Sequence, residues 1–249
     1  MSEALQRVRI VLDHTTHPGN IGAAARAMKV MGLSELHLVN PSRFPHSQAT
    51  ALASSADDIL DGARIHDSLD QSLADCTLVL GTSARKRSIS QELLEPRQAA
   101  ARALASPGPV AILFGTERSG LDNDALDRCH GLIRIPTSDR YMSLNLAQAV
   151  QVLAYELHLA SRETTTATPV DERVAASAER MRVFLQRLEH TLVELRFSTP
   201  GQNETLHRRL RHLFLRARPD DDELNILNGI LSAVAKSTKG HVAEHQSSD

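Results

Sequence analysis

The chain has 249 residues, enough to bury one sizeable core and to carry a smaller appendage. Hydrophobic content of 41% and charged content of 23% are those of a soluble globular protein, and no run nears the roughly 18 apolar residues that span a bilayer, which excludes a helical membrane protein. With 28 basic against 30 acidic residues the net charge is -2, so any affinity for nucleic acid must come from locally segregated charge.

Arg7 to Leu12 reads as a short strand that exits through Asp13-His-Thr-Thr-His-Pro-Gly19. Asn20 then opens a helix carrying Ile21, Ala24, Ala25, Met28 and Met31, which Gly32 terminates. The region around Glu3, Arg7 and Arg9 lacks a secretory apolar segment, so the protein is expected in the cytoplasm. Leu36 to Val39 is a second strand, Ser47 to Leu60 a helix, Ala63 to His66 a third strand and Leu69 to Leu73 a short helix. Thr77 to Leu80 is the next strand, leaving through Gly81-Thr82-Ser83-Ala84-Arg85-Lys86-Arg87. Pro96 to Ala105 is Ala-rich and helical. Two further strands, Val110 to Gly115 and Leu132 to Pro136, flank a short helix over Asp122 to Arg128. The helix from Ser143 to about Ala160 is more apolar than a surface helix needs, so it is either buried under the sheet or half of a subunit interface.

Strands alternating with helices at this spacing predict an open α/β sheet covered on both faces. Beyond it, helices are expected over Asp171 to Leu195, Glu204 to Leu215 and Asp222 to Ala235. The organisation is therefore an α/β domain over 1–161, a linker over 162–170 and a small all-helical domain over 171–235. A disordered tail over 236–249 follows.

The densest chemical signal lies between Val110 and Val150, where two apolar strands each run straight into a polar loop. One loop is Thr116-Glu117-Arg118-Ser119-Gly120-Leu121; the other runs from Thr137 to Met142 and leads into Ser143-Leu144-Asn145-Leu146. Parallel strands present their exit loops together at the carboxyl edge of a sheet, so both loops are expected around one pocket. Gly19-Asn20-Ile21-Gly22 invites a pyrophosphate-binding reading, but there is no G-x-G-x-x-G and the second strand ends at Asn40, which argues against a nicotinamide dehydrogenase. Asp13, His14 and His17 have no evident further metal ligands, and Cys76 and Cys129 form no C-x-x-C; no metal is expected and both thiols are read as reduced. Ser119 is not in a G-x-S-x-G elbow, which argues against a hydrolase.

Arg26 stands among Ala23, Ala24, Ala25 and Ala27, so it is either a solvated residue or one that something bulky can approach closely. His207 to Arg218 holds five arginines and no acid, with Leu206, Leu210, Leu213 and Ala217 expected on one helical face and Arg208, Arg209, Arg211 and His212 away from it. That face is bland if solvated. Together with Arg85, Lys86 and Arg87 at a strand's carboxyl end, it suggests a phosphate backbone as partner.

Asn20 to Arg26, F-G-T-E-R-S-G-L from Phe114 and I-P-T-S-D-R-Y-M-S-L-N-L from Ile135 together resemble the three motifs of the SPOUT superfamily of RNA methyltransferases, in its ribose 2′-O-methylating branch. The opening R-I-V-L-x-x-T-x-H-x-G-N-I-G, the G-T-S-A-R loop and the late L-F-x-R-A-R-P…E-L-N-I-L-x-G-I-L extend the resemblance from Arg7 to about Ala235. They resemble most the members that act on nucleotide 32 of the tRNA anticodon loop. The resemblance implies a deep trefoil knot at the carboxyl end of the α/β domain, although chain connections are usually unknotted. It also implies a homodimer with a shared active site, S-adenosylmethionine as cofactor and tRNA as partner.

By position, Thr82, Ser83, Ala84, Gly115, Glu117, Ile135, Met142, Ser143 and Leu144 would line the cofactor. The implied reaction is transfer of a methyl group to the ribose 2′-hydroxyl of nucleotide 32, cytidine or uridine. A ribosomal RNA target, or an RNA-binding dimer without turnover, are the alternatives. The family's usual base is the arginine of the first motif, here Arg26. A guanidinium is effectively always protonated, so Arg26 is expected to stabilise the developing alkoxide and hold the adjacent phosphate, while that phosphate, Ser143 or water takes the proton. Asn20 and Glu117 would orient Arg26 and the cofactor loop, and Asn145 would fix the loop or the substrate. Arg85, Lys86, Arg87, Arg208, Arg209 and Arg211 would hold the RNA. The sequence departs from the family pattern at Thr116, where an Arg is common, and at Tyr141-Met142.

Overall fold

The computed structural model describes residues 3–84, 91–138, 140, 142–163, 173–199 and 204–246. It divides into two compact units, Met1–Val174 and Ala175–Asp249. In the first, α1 (Glu3–Gln6) leads into β1 (Val8–Asp13), α2 (Pro18–Val30), β2 (Glu35–Val39), α3 (Ser47–Ala53), α4 (Asp57–Asp61), β3 (Arg64–His66) and α5 (Leu69–Leu73). Then come β4 (Leu78–Thr82), β5 (Glu92–Leu94), α6 (Pro96–Ala105), β6 (Val110–Phe114), α7 (Asn123–Leu126), β7 (Gly131–Ile133) and α8 (Leu146–Glu163).

The strands form one parallel sheet in the order β3-β2-β1-β6-β4-β7-β5. β1, β6 and β7 are buried along their whole length, which is why they read as continuous apolar runs. The registers Leu12↔Phe114, Gly81↔Leu113 and Thr82↔Ile133 bring the exits of β1, β4, β6 and β7 to one edge. Three elements differ from expectation: α1 precedes the first expected strand. β5 is an added edge strand, and the helix expected over Ser47 to Leu60 is split because Ser54 (φ 47) and Ser55 (φ 74) adopt left-handed backbone.

The face of α2 that carries Ile21, Ala24, Ala25 and Met28 is fully buried against the sheet core. At Gly22 a Cβ would stand 2.0 Å from the Ala49 carbonyl oxygen, so α2 and α3 meet backbone to backbone. α8 buries Leu146, Val150, Leu153, Ala154 and Leu157 and packs against α2 and α6, so its excess of apolar residues serves the core of its own unit. Beside α5 lies a polar cluster. Arg9 forks onto Asp75 at 2.7 and 2.6 Å and donates to the Ser72 carbonyl at 2.9 Å, while His37 stacks on His66 with a 3.0 Å contact between Nδ1 and Nε2.

The second unit holds α9 (Ala178–Glu194), α10 (Glu204–Ala217) and α11 (Asp221–Gln246). Ser177 caps α9, and Asp220 with Glu223 forms a reciprocal capping box on α11. Met181, Phe184, Leu185, Leu215 and Leu224 make the core, with Phe184 and Phe214 edge to face at 4.8 Å. α11 continues to Gln246, through most of the stretch expected as a disordered tail. α10 is also rotated from expectation. Leu213 is 47% exposed, His212 and Leu215 are buried, and Arg208 and Arg211 lie half-buried. The cause is packing: Leu215 enters the core, which turns Arg211 toward α9, where its Nη2 meets Glu189 Oε1 at 3.2 Å.

Candidate active site

The exits of β4, β6 and β7 enclose a cavity of about 430 Å³ at the carboxyl edge of the sheet, within the roughly 300–1,000 Å³ usual for small-molecule sites. Local chemistry fixes each wall. Thr82 Oγ1 donates to the Leu113 carbonyl at 2.9 Å and the Ser83 amide donates to Ile133 at 2.9 Å, so the β4 exit is pinned to both neighbouring strands. After β6 the chain doubles back: a Cβ on Gly115 would stand 2.2 Å from Gly120 C and Leu121 N. Thr116 closes this turn by pairing with Gly120 and by a 2.8 Å contact between its hydroxyl and that of Ser119. Phe114, Leu121, Ile133, Ile135, Met142, Leu144 and Leu146 supply the apolar lining.

Glu117 joins this turn to the start of α2. Its Oε2 accepts from the Thr16 amide at 3.1 Å and the Thr16 hydroxyl at 2.9 Å, and its Oε1 from the His17 amide at 3.2 Å and Asn20 Nδ2 at 2.9 Å. Burial would raise its pKa, but the bonds from Asn20, from its own amide and from Thr16 outweigh burial and hold the carboxyl at about 2. A carboxylate at a helix N-terminus is also favoured by the helix dipole. Asn145 completes the junction. Its Nδ2 donates to Asn20 Oδ1 at 3.0 Å and its Oδ1 accepts from the Ala147 amide at 2.9 Å, capping α8.

The three expected loops thus meet through the chain Glu117–Asn20–Asn145. Thr82, Ser83, Ala84, Gly115, Glu117, Ile135, Met142, Ser143 and Leu144 all line the cavity. Arg26 does not line it: it is exposed on α2, with no hydrogen bond or ion pair to another described residue. Arg85, Lys86 and Arg87 lie outside the described residues. On α10, Arg209 is exposed, whereas Arg211 is engaged with Glu189. Sequence reasoning missed Thr16, whose amide and hydroxyl both reach Glu117, and weighed His17 only as a metal ligand, whereas it acts through its backbone amide. It also passed over Arg118 and Arg140, which line the cavity and stand inside the quoted motifs.

A parallel α/β sheet with a cavity built from loops at its carboxyl edge defines a small-molecule-binding α/β protein, with its polar residues gathered on the loops. The SpoU rRNA Methylase family model matches residues 7–155, and that of the C-terminal domain of tRNA methyltransferase TrmJ matches residues 179–243. The tRNA (cytidine/uridine-2′-O-)-methyltransferase TrmJ of Pectobacterium atrosepticum is 48% identical over 237 residues, covering 94% of this chain and 98% of the relative. The enzyme of the same name from Salmonella typhimurium is 46% identical over 241 residues, covering 95% and 99%. The crystal structure of TrmJ from Z. mobilis ZM4 superposes with a TM-score of 0.82 at 34% identity, covering 91% of this chain and 98% of that one. The chain belongs to the SpoU methylase family, in its TrmJ group.

Proposed function

We propose that this protein is an S-adenosylmethionine-dependent tRNA (cytidine/uridine-2′-O-)-methyltransferase that modifies nucleotide 32 of the anticodon loop. The observation that carries the reading is the Glu117–Asn20–Asn145 chain, which ties the first motif segment to the two that line the cavity. The cavity suits the cofactor: Ile133, Ile135, Met142 and Leu144 offer apolar walls for an adenine, and the loops at Ser83 and Gly115 offer backbone groups to its edge. Bound there, S-adenosylmethionine supplies an electrophilic methyl group on a sulfonium.

The residues of the chain then have to hold a weak nucleophile close and polarise it. Asn20 and Glu117 fix the start of α2, and Asn145 ties the start of α8 to it, so that Ser143 is presented at the cavity. Arg26, exposed and without an acceptor among the described residues, is free to hold the phosphate beside the ribose and stabilise the developing alkoxide. The proton passes to that phosphate, to Ser143 or to water.

The functional protein is a homodimer with a shared site in this reading, supported by Val30 of α2 and Tyr155 of α8, which are exposed on two helices packed together. A trefoil knot is supported by the path after β7. From beside β5 the chain returns past the cavity to α8, which packs on α2 and α6. The α/β domain carries the transferase, and the helical domain, through Arg209 and its neighbours, supports tRNA. No helix among the described residues is long and apolar enough to cross a membrane; a cytoplasmic location accords with a tRNA substrate.

The test is methyl transfer from labelled S-adenosylmethionine to unmodified tRNA transcripts, followed by nuclease mapping. The expected result is a 2′-O-methylated pyrimidine at position 32, with Arg26→Ala slowing transfer about 100-fold, which corresponds to about 2.7 kcal/mol. Label at another tRNA position, or on ribosomal RNA, would move the substrate and keep the chemistry. Cofactor binding without transfer to any RNA would leave the non-catalytic RNA-binding dimer.

A further inference from the structure

Three charged residues line the cavity among the described residues: Glu117, Arg118 and Arg140. Both oxygens of Glu117 are already taken by Thr16, His17 and Asn20, and no ion pair joins it to Arg118 or Arg140. Arg118 and Arg140 are both exposed, and neither has a hydrogen bond or ion pair to another described residue. The cavity mouth therefore carries two positive charges with no counter-ion supplied by the described part of the chain. A sulfonium is itself a cation, so these arginines do not serve its reactive end. What they match is a group with anionic oxygens, which a guanidinium fork can bind in a bidentate way.

Such oxygens have two sources here, the phosphodiester beside the target ribose and the carboxylate at the amino-acid end of the cofactor. The placement favours the phosphodiester. Arg118 stands on the turn that Thr116 and Ser119 close, and Arg140 on the segment between β7 and α8, so the two are on separate loops, both at the solvent side of the cavity. We propose that Arg118 and Arg140 form a two-sided clamp for a phosphodiester flanking the ribose to be methylated, a subsite separate from Arg26 on α2. The proposal rests on the RNA methyltransferase reading and adds a substrate-positioning role to it.

The test uses the full-length protein and the variants Arg118→Gln, Arg140→Gln and the double variant. Binding of an unmodified tRNA transcript is measured by fluorescence anisotropy across a salt series, and binding of S-adenosylmethionine by calorimetry. Each single variant is expected to weaken tRNA binding about 10-fold and to reduce the slope of log K against log salt by about 0.7–0.9, as one lost phosphate contact requires. S-adenosylmethionine affinity stays within about twofold, and the loss in methyl transfer falls on the KM for tRNA. Arg118→Lys keeps the charge and loses the fork, so it restores most of the salt slope and only part of the affinity. A fall in cofactor affinity with an unchanged tRNA slope would overturn the proposal and assign the arginines to the cofactor carboxylate. No change in either would return them to solvated surface. Failure of the wild-type protein itself to bind tRNA would remove the functional reading, an outcome read in the wild-type arm alone.

Discussion

Two polar networks in the first unit are built from similar groups and come to different ends. At the carboxyl edge, the negative charge of Glu117 is met, among the described residues, by neutral donors: its own amide, the Thr16 and His17 amides, the Thr16 hydroxyl and the Asn20 side-chain amide. Beside α5, Arg9 and Asp75 cancel each other, and His37 is kept neutral, its pKa lowered to about 3 by burial first and then by Arg9 and His66. The first network keeps a fixed charge beside a cavity and uses it to hold three loops together. The second removes charge and closes the space between α5 and the sheet. A polar cluster therefore points to a site when neutral donors preserve its charge at an opening, and to scaffolding when opposite charges are matched.

The sharpest way to break this contrast is Glu117→Gln. The substitution puts an NH₂ where donors already converge, so kcat/KM for methyl transfer is expected to fall about 100-fold, equivalent to about 2.7 kcal/mol, with the fold retained by circular dichroism. The pH dependence carries the same signature. Because the folded carboxyl sits at about 2 against an ordinary 4.5, its contribution to stability is complete above pH 4.5 and is lost as pH falls toward 2. Denaturation midpoints of the Gln variant lack that acid limb.

His37 gives a smaller effect at higher pH. Above its ordinary 6.5 the imidazole is neutral in both states. Below it the unfolded chain takes up a proton that the folded protein refuses, so stability falls as pH drops from 6.5 toward 3, by up to about 1.4 kcal/mol per pH unit. Urea titrations at several pH values are expected to show a shallower slope for His37→Gln, and an unchanged slope would place the proton elsewhere. The smallest effect tests matched charge in the second unit. A double-mutant cycle on Arg211 and Glu189, each 31% exposed, is expected to give a coupling of about 0.2–1 kcal/mol. A larger coupling would mean that the pair is more protected than its exposure indicates.

The same contrast explains what was legible in the sequence. Buried strands such as Val110–Phe114 announce themselves as apolar runs, and the loops after them as polar interruptions, so most of the sheet and the meeting of two exit loops at one pocket could be read directly, whereas the individual lining residues came from the family resemblance. β5 was invisible because three residues, two of them exposed, carry no period. The break at Ser54 and Ser55 was missed because neither is a glycine, the residue type that announces a left-handed backbone. Thr16 and the amide role of His17 were missed because a lone loop hydroxyl and a backbone amide carry no sequence signature. The face of α10 was misjudged because Leu215 and Arg211 answer to Phe184 and Glu189 on α9, far away in the chain. Periodicity records which residues prefer burial; it does not record which neighbour arrives to bury them.

The contact at Gly22 sets the mechanics of the whole edge. At Gly22 the α2 backbone is pressed against the Ala49 backbone of α3, so at that point the helix that bears Asn20 and Arg26 has no side chain that could give way. The α2 start is therefore held close to α3 at this point. Even Gly22→Ala would drive the two helices apart and move Asn20 away from Glu117. A position without a side chain thus sets the geometry of Asn20, two residues before it.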